Sequence, residues 1–263
     1  MPMAFNRRQQ RILEWIRRDG YATIDALAEH FKVTPQTMRR DINTLCREGL
    51  LNRYHGGAGL PQSSVENIAY PARQVLNHEE KRRIAELAAR HIPENVSLFI
   101  NIGTTTEEIA QALRRHQNLR VITNNLQVAN ILCENPSCEV IIAGGVVRHQ
   151  DRGVIGEATI DFIRQFKVDF AIIGISGIEE DGTLRDFDYR EVRVAQAIIA
   201  QSRKVLLVAD HTKFGRNALV QLGHIRQIDA LFTDRPPPPD LAAVLAEANV
   251  AVHVPDAEPP SAP

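Results

Sequence analysis

Apolar residues recur along this chain in two regimes, and the change falls near residue 60. Before it they recur at steps of three and four: Ile12, Leu13 and Ile16 beside Trp15, then Ile24, Leu27, Ala28 and Phe31, then Met38, Ile42 and Leu45. Such spacing puts each set on one face of a helix. The ends are marked as well. Asn6 opens the first helix, and Gly20, free to take a left-handed conformation, closes it. Thr23 caps the second, which breaks at Lys32 and Val33. Thr34 offers a capping hydroxyl to the third, and Pro35 takes a first helical position where its missing N–H costs nothing. Gly49 stops that helix. Leu50 to Tyr54 followed by Gly56 and Gly57 predicts two short strands around a tight turn. Residues 5–60 are therefore expected to form a winged helix-turn-helix.

Residues 61–77 carry Pro61, Ser63, Ser64 and Pro71 with little periodicity and read as a linker. A helix is predicted over Glu79 to His91. After Pro93, short apolar runs alternate with helix-length segments: Val96 to Ile102, Leu119 to Thr123, Glu139 to Ala143, Val168 to Ile173, Lys204 to Ala209 and Ala230 to Thr233. Six strands continuous in Val and Ile imply a parallel sheet covered by helices on both faces. Pro236 to Pro239 introduces a terminal helix, Val250 to Val254 is a further short apolar run, and residues 256–263 are expected to be disordered. The fold class is α/β, with a Rossmann-like parallel-sheet domain over residues 78–255.

Composition narrows the function class. With 263 residues, 44% hydrophobic and 24% charged, the chain has enough apolar material for one or two cores. The longest apolar stretch, Phe170 to Ile178 with its glycines and Ser176 counted in, spans nine residues. A membrane-crossing helix needs about 18. Arg7, Arg8 and Arg11 near the start are not followed by an apolar run and cleavage site, so secretion is not expected. Cys46, Cys133 and Cys138 show no C-x-x-C spacing and read as reduced cytoplasmic thiols. The nine histidines show no metal-binding pairing, and no cofactor is expected.

A net charge of −1 hides an asymmetry. Residues 1–56 hold ten basic and six acidic side chains, a net of +4, while the remainder carries −5. A basic segment joined to an acidic body suggests a nucleic-acid module attached to something else. On the third helix the apolar face leaves Gln36, Thr37, Arg39, Arg40 and Asn43 pointing outward, with Thr34 at its start. Such a helix enters the major groove with its first side chains against base edges, while neighbouring cations hold phosphates. A plain three-helix bundle is the bland alternative.

In the acidic body, Phe99 to Thr106 places Gly103, Thr104 and Thr105 at a strand-to-helix turn. Backbone N–H groups and the helix dipole make such a turn a candidate phosphate cradle. It is neither a Walker loop nor a G-x-G-x-x-G fingerprint, so a nucleotide is not indicated. Other polar residues follow strand ends, as a convergent ligand site requires. They are Asn124 and Asn125, Gly144 and Gly145, the Gly174 to Gly177 turn, and Lys213 in Asp210 to Gly215, a point charge for a phosphate.

These residues resemble a known family. Arg8, Ile12, Ile16, seventeen intervening residues, Thr34, then Thr37-Met38-Arg39-Arg40-Asp41 match the N-terminal pattern of the DeoR family of bacterial transcription repressors. Arg53-Tyr54-His55-Gly56-Gly57-Ala58 is similar to that family's wing, which adds Arg53 and His55 to the expected DNA contacts. The resemblance runs from about Asn6 to about Pro239. It implies operator DNA as partner, a homo-oligomer, and a sensor domain similar to ribose-5-phosphate isomerase that binds phosphorylated sugars as inducers. Ile155 to Thr159, Ile175 to Ile178, Asp186 to Tyr189 with Glu191 and Val192, and Ala209 to Ala218 look most like the members that respond to glycerol 3-phosphate. Position 101 is Asn where the family usually has Asp. The competing class is a sugar-phosphate isomerase, for which Glu157, Asp186, Asp188 or Glu191 would supply the base. A repressor answering to another phosphorylated sugar is the nearer alternative.

Overall fold

The computed structural model describes residues 5–54, 56–59, 64 and 67–255, with the backbone alone of Arg17. The chain divides into two compact units, Met1–Asn77 and His78–Pro263. The first contains α1 (Arg7–Asp19), β1 (Tyr21–Thr23), α2 (Ile24–Phe31), α3 (Pro35–Arg47), β2 (Asn52–Tyr54), β3 (Gly57–Gly59) and α4 (Tyr70–Val75). The caps explain the helix ends. The Asn6 and Gln9 side chains each accept from the other's backbone N–H, Thr23 accepts from Ala26, and Thr34 from Thr37. Gly20 ends α1 at φ 81, whereas α2 ends on Lys32 at φ 52. The three apolar faces meet in one core of Ile12, Ile16, Leu27, Met38, Ile42 and Leu45.

The wing has one strand more than the sequence pattern shows, because β1 joins it in the order β1-β3-β2. Gly57 makes this pairing feasible: a Cβ there would stand 2.3 Å from the Ala22 carbonyl oxygen. The expected linker is also partly structured. Helix α4 lies within it, and Ala72 and Leu76 pack against Tyr21. An apolar set of so few residues has no readable period. Positions 61–63, 65 and 66, His55, and the expected tail over 256–263 lie outside the described residues.

In the second unit, α5 (His78–Arg90) leads into β4 (Ser97–Ile100), α6 (Thr104–Ala112), β5 (Leu119–Thr123), α7 (Leu126–Leu132) and β6 (Cys138–Ile142). A hairpin of β7 (Val146–Val147) and β8 (Val154–Ile155) precedes α8 (Glu157–Ile163) and β9 (Val168–Gly174). Then come β10 (Gly177–Ile178), β11 (Thr183–Asp186), α9 (Tyr189–Ala200), β12 (Ser202–Val208), β13 (Val220–His224), β14 (Ala230–Phe232), α10 (Pro239–Glu247) and β15 (Ala251–His253).

Seven strands form one sheet in the order β15-β14-β12-β9-β4-β5-β6, with every neighbouring pair parallel. The six expected strands are all present, and the run at Val250 to Val254 supplies the seventh. Alternate side chains enter opposite cores: Leu98, Ile100, Val121, Ile172 and Leu206 on one face, Phe99, Ile122, Ala171, Ile173 and Leu207 on the other. Burial of both faces is the reason the central strands β4, β5, β9 and β12 read as apolar runs. The strand order reverses between β4 and β9. In doubly wound sheets a crevice opens outside the carboxyl ends of the strands at that point.

Candidate functional site

On α3 the buried set Met38, Ile42 and Leu45 turns Gln36, Arg39, Arg40 and Asn43 outward, and all four are exposed. Thr37 is half-buried, with its hydroxyl 3.0 Å from that of Thr34, so both threonines serve the start of the helix. Arg53 on β2 donates to Asn43 Oδ1 at 3.0 Å and ties the wing to α3. Asp41 faces the other way. It is buried and accepts from Arg8 Nε at 2.6 Å and from Gln9 Nε2 at 3.0 Å. Arg8 and Asp41 of the N-terminal pattern thus lock α1 to α3, a role that the pattern alone does not separate from DNA contact.

At the carboxyl edge of the large sheet, the turn after β4 carries the expected cradle. Gly103 precedes α6 at φ 154 and no side chain caps that helix, so its first N–H groups are available to an anion. The Thr106 hydroxyl lies 2.7 Å from both the Asn101 and Gly103 carbonyl oxygens and fixes the turn. Thr104 and Thr105 are buried beside it. Across the switch point, a Cβ on either Gly103 or Gly174 would stand 4.0 Å from the other's Cα. Bare backbone therefore walls the crevice there.

The other expected ligands separate by role. Asn124 donates through Nδ2 to the Val154 carbonyl at 3.0 Å. Asn125 Oδ1 accepts from the Gln127 N–H at 2.9 Å and caps α7, while its Nδ2 donates to Glu107 Oε1 at 3.1 Å. Both ends of the Asn125 amide are committed to the fold. Gly144 accepts from the Thr159 hydroxyl at 2.9 Å, and a Cβ on Gly145 would come within 2.2 Å of the same hydroxyl oxygen. Close packing against α8 and the Ile155 carbonyl of β8, together with a φ of 153, accounts for Gly145.

Lys213 follows β12 in a single tight turn, and its Nζ lies 4.0 Å from Asp210 Oδ2. It is therefore a paired cation, not an isolated point charge. Burial pushes the Asp210 carboxyl up, but Lys213, hydrogen bonds from Thr212, and Lys81 outweigh this and hold it at about 2. Lys81, on α5, is 3% exposed, and the sequence reading passed over it. The signal was present. Lys81 continues the apolar stripe of Ile84, Ala85 and Ala88, where a charged side chain is costly unless it has a partner. Lys213 and Lys81 both act on the Asp210 carboxylate, at the same carboxyl edge as the cradle.

Each carboxylate considered as an isomerase base is already engaged. Glu157 is exposed and pairs with Arg193, Asp188 caps α9 and pairs with Arg148 and Arg190, and Asp186 accepts from Ser176 Oγ at 2.9 Å. Glu191 pairs with Arg148, as does Asp151, so one arginine joins the β7-β8 hairpin to α9. Burial and the neighbouring Asp186 push Glu191 up to about 7, against the pull of Arg148. At the opposite end of the sheet a concavity of about 640 Å3 is lined by Asn95, Ser97, Asn118 and Asp169 among others. Its polar groups bond one another: Ser97 donates to Asp169, and Asn118 to Asn95.

Residues 8–64 match the DeoR-like helix-turn-helix domain, and residues 76–235 match the DeoR C terminal sensor domain. The glycerol-3-phosphate regulon repressor of Escherichia coli (strain K12) is 50% identical over 96% of this chain and 100% of its own length. The HTH-type transcriptional repressor CsqR of the same organism is 44% identical over 95% of each chain. Among solved structures, ribose 5-phosphate isomerase A from Neisseria gonorrhoeae aligns over 51% of this chain and 52% of its own at 17% identity, with a TM-score of 0.38. With a DeoR-type helix-turn-helix followed by a DeoR-type sensor domain, and with repressors among its full-length relatives, the chain belongs to the DeoR family of transcription regulators.

Proposed function

We propose that this chain represses genes of glycerol and glycerol 3-phosphate metabolism. It binds operator DNA through α3 and the wing, and it leaves the operator when glycerol 3-phosphate occupies the sensor domain. The observation that carries this reading is the uncapped start of α6 at the same sheet edge as the Lys81, Asp210 and Lys213 cluster. Together they favour a small anion. Identity of 50% along the whole length of a glycerol-3-phosphate regulon repressor supports that anion over other sugar phosphates. On the DNA side, Gln36, Arg39, Arg40 and Asn43 face the bases, Thr34, Thr37, Arg53 and His55 support them, and two or more copies present paired helices to repeated half-sites. The protein acts in the cytoplasm, and no helix among the described residues is long and apolar enough to cross a membrane.

The test starts from random duplex DNA, selected for binding to the full chain. Anisotropy of the recovered fragment is then followed against glycerol 3-phosphate, glucose 6-phosphate, ribose 5-phosphate and inorganic phosphate. Release by glycerol 3-phosphate at the lowest concentration is expected. Stronger release by another of these ligands moves the assignment to that ligand.

A further inference from the structure

Asn101 and Asn124 end adjacent central strands in step. The register Ile100↔Thr123 between β4 and β5 makes them the next pair along. They are only 2% and 1% exposed, yet neither Asn101 Oδ1 nor Asn124 Oδ1 has a hydrogen-bond partner among the described residues. Buried polar atoms are nearly always paired. Exchange of amide O and N does not remove the orphan at Asn124, since its Nδ2 is already committed to Val154. Thr233 Oγ1 is also unpaired, but it follows β14, three strands from β4, and a hydroxyl can either donate or accept.

We infer that Asn101 and Asn124 receive the hydroxyl groups of the effector and set its preference for a phosphorylated polyol over a phosphate ester lacking hydroxyls. The inference rests on the reading of this sheet edge as the effector site. An amide oxygen only accepts, so its partner must donate. A hydroxyl donates, whereas a phosphate oxygen carrying charge does not. The start of α6 and the two lysines suit the phosphate, and the paired amide oxygens suit the other end of the molecule. Asparagine at position 101 accepts as aspartate would, without placing a second negative charge beside a phosphate.

Calorimetric titration of the full chain with glycerol 3-phosphate and with propyl phosphate separates the two ends of the ligand. The wild type is expected to prefer glycerol 3-phosphate. Asn101→Leu should weaken glycerol 3-phosphate about tenfold and leave propyl phosphate unchanged. Asn101→Asp should keep the preference, because the accepting oxygen remains. Asn124→Leu also loses its bond to Val154, so unchanged propyl phosphate binding is the control for an intact site. Without ligand, Asn101→Leu should melt no lower than wild type, since it removes an unpaired buried acceptor, and glycerol 3-phosphate should raise its melting temperature less. Equal losses for both ligands, or unchanged glycerol 3-phosphate affinity in both leucine variants, overturn the inference while leaving the effector site standing. A wild type that binds neither ligand overturns the effector site and the inference together.

Discussion

Adjacent residues on α3 face opposite ways, and substitutions should separate the roles proposed for them. Arg39 and Arg40 are exposed, so replacing either by Ala should leave the melting temperature of the protein unchanged. Operator affinity should fall by about 1–3 kcal/mol if the lost contact is to a base, and the salt slope by about one unit if it is to a phosphate. Asp41→Ala should do the reverse, destabilising the first unit by about 1–3 kcal/mol because the Arg8 and Gln9 donors lose their acceptor. Thermal melts paired with gel-shift titrations decide this. Normal stability in Asp41→Ala would refute the locking role. The outward arginines were legible from helical spacing, but periodicity shows only which face a side chain takes. It does not name the partner from a distant helix, which is why Asp41 and Lys81 acquire their roles only in three dimensions.

Asp210 gives the sensor domain a signed response to acid. Its carboxyl is held at about 2, below the usual 3.8, so it contributes stability that is fully present above about pH 4 and is lost as pH falls towards 2. Lys213→Ala removes one of the cations that hold it ionised. The acid-unfolding midpoint, followed by circular dichroism, should therefore move to higher pH. A midpoint unchanged or shifted to lower pH would contradict the pairing.

Among the elements, long ones with caps or buried faces were legible and short ones were not. Helices α1, α2 and α3 carry Asn6, Thr23 and Thr34 as caps, and the central strands bury both faces. β1, α4 and the β7-β8 hairpin hold too few residues for a period, and their places depend on pairing and packing with the rest of the fold. Glycines at one turn show the same division. Gly144 and Gly145 look equivalent in sequence, yet a Cβ on Gly144 meets nothing within 4 Å whereas one on Gly145 meets Thr159 at 2.2 Å. Gly145→Ala should destabilise the sensor domain by about 1–3 kcal/mol and Gly144→Ala by much less. Equal denaturant midpoints for the two variants would show that the approach to Thr159 is not what requires glycine.

For the whole molecule, division of the chain at Asn77 and His78 predicts that the two proposed functions can be separated. A chain beginning at His78 should fold, bind glycerol 3-phosphate and show no affinity for operator DNA. The two-domain plan was legible because charge, apolar period and turn residues all change near residue 60. The proposed effector site was legible only in part. Gly103 to Thr105 announce themselves at a strand-to-helix turn, whereas the Lys81, Asp210 and Lys213 cluster joins α5 to the turn after β12 across a long stretch of sequence.

The central claim is that an anion at this sheet edge controls release from DNA. The most direct test is operator anisotropy with the full chain during titration with glycerol 3-phosphate, for wild type and Lys213→Ala side by side. Both should bind operator equally, since Lys213 lies outside the DNA-binding unit. Loss of one charged hydrogen bond should then raise the ligand concentration needed for release by about ten- to a hundredfold. Wild type that stays on the operator at saturating glycerol 3-phosphate, or Lys213→Ala released at the wild-type concentration, would contradict the account.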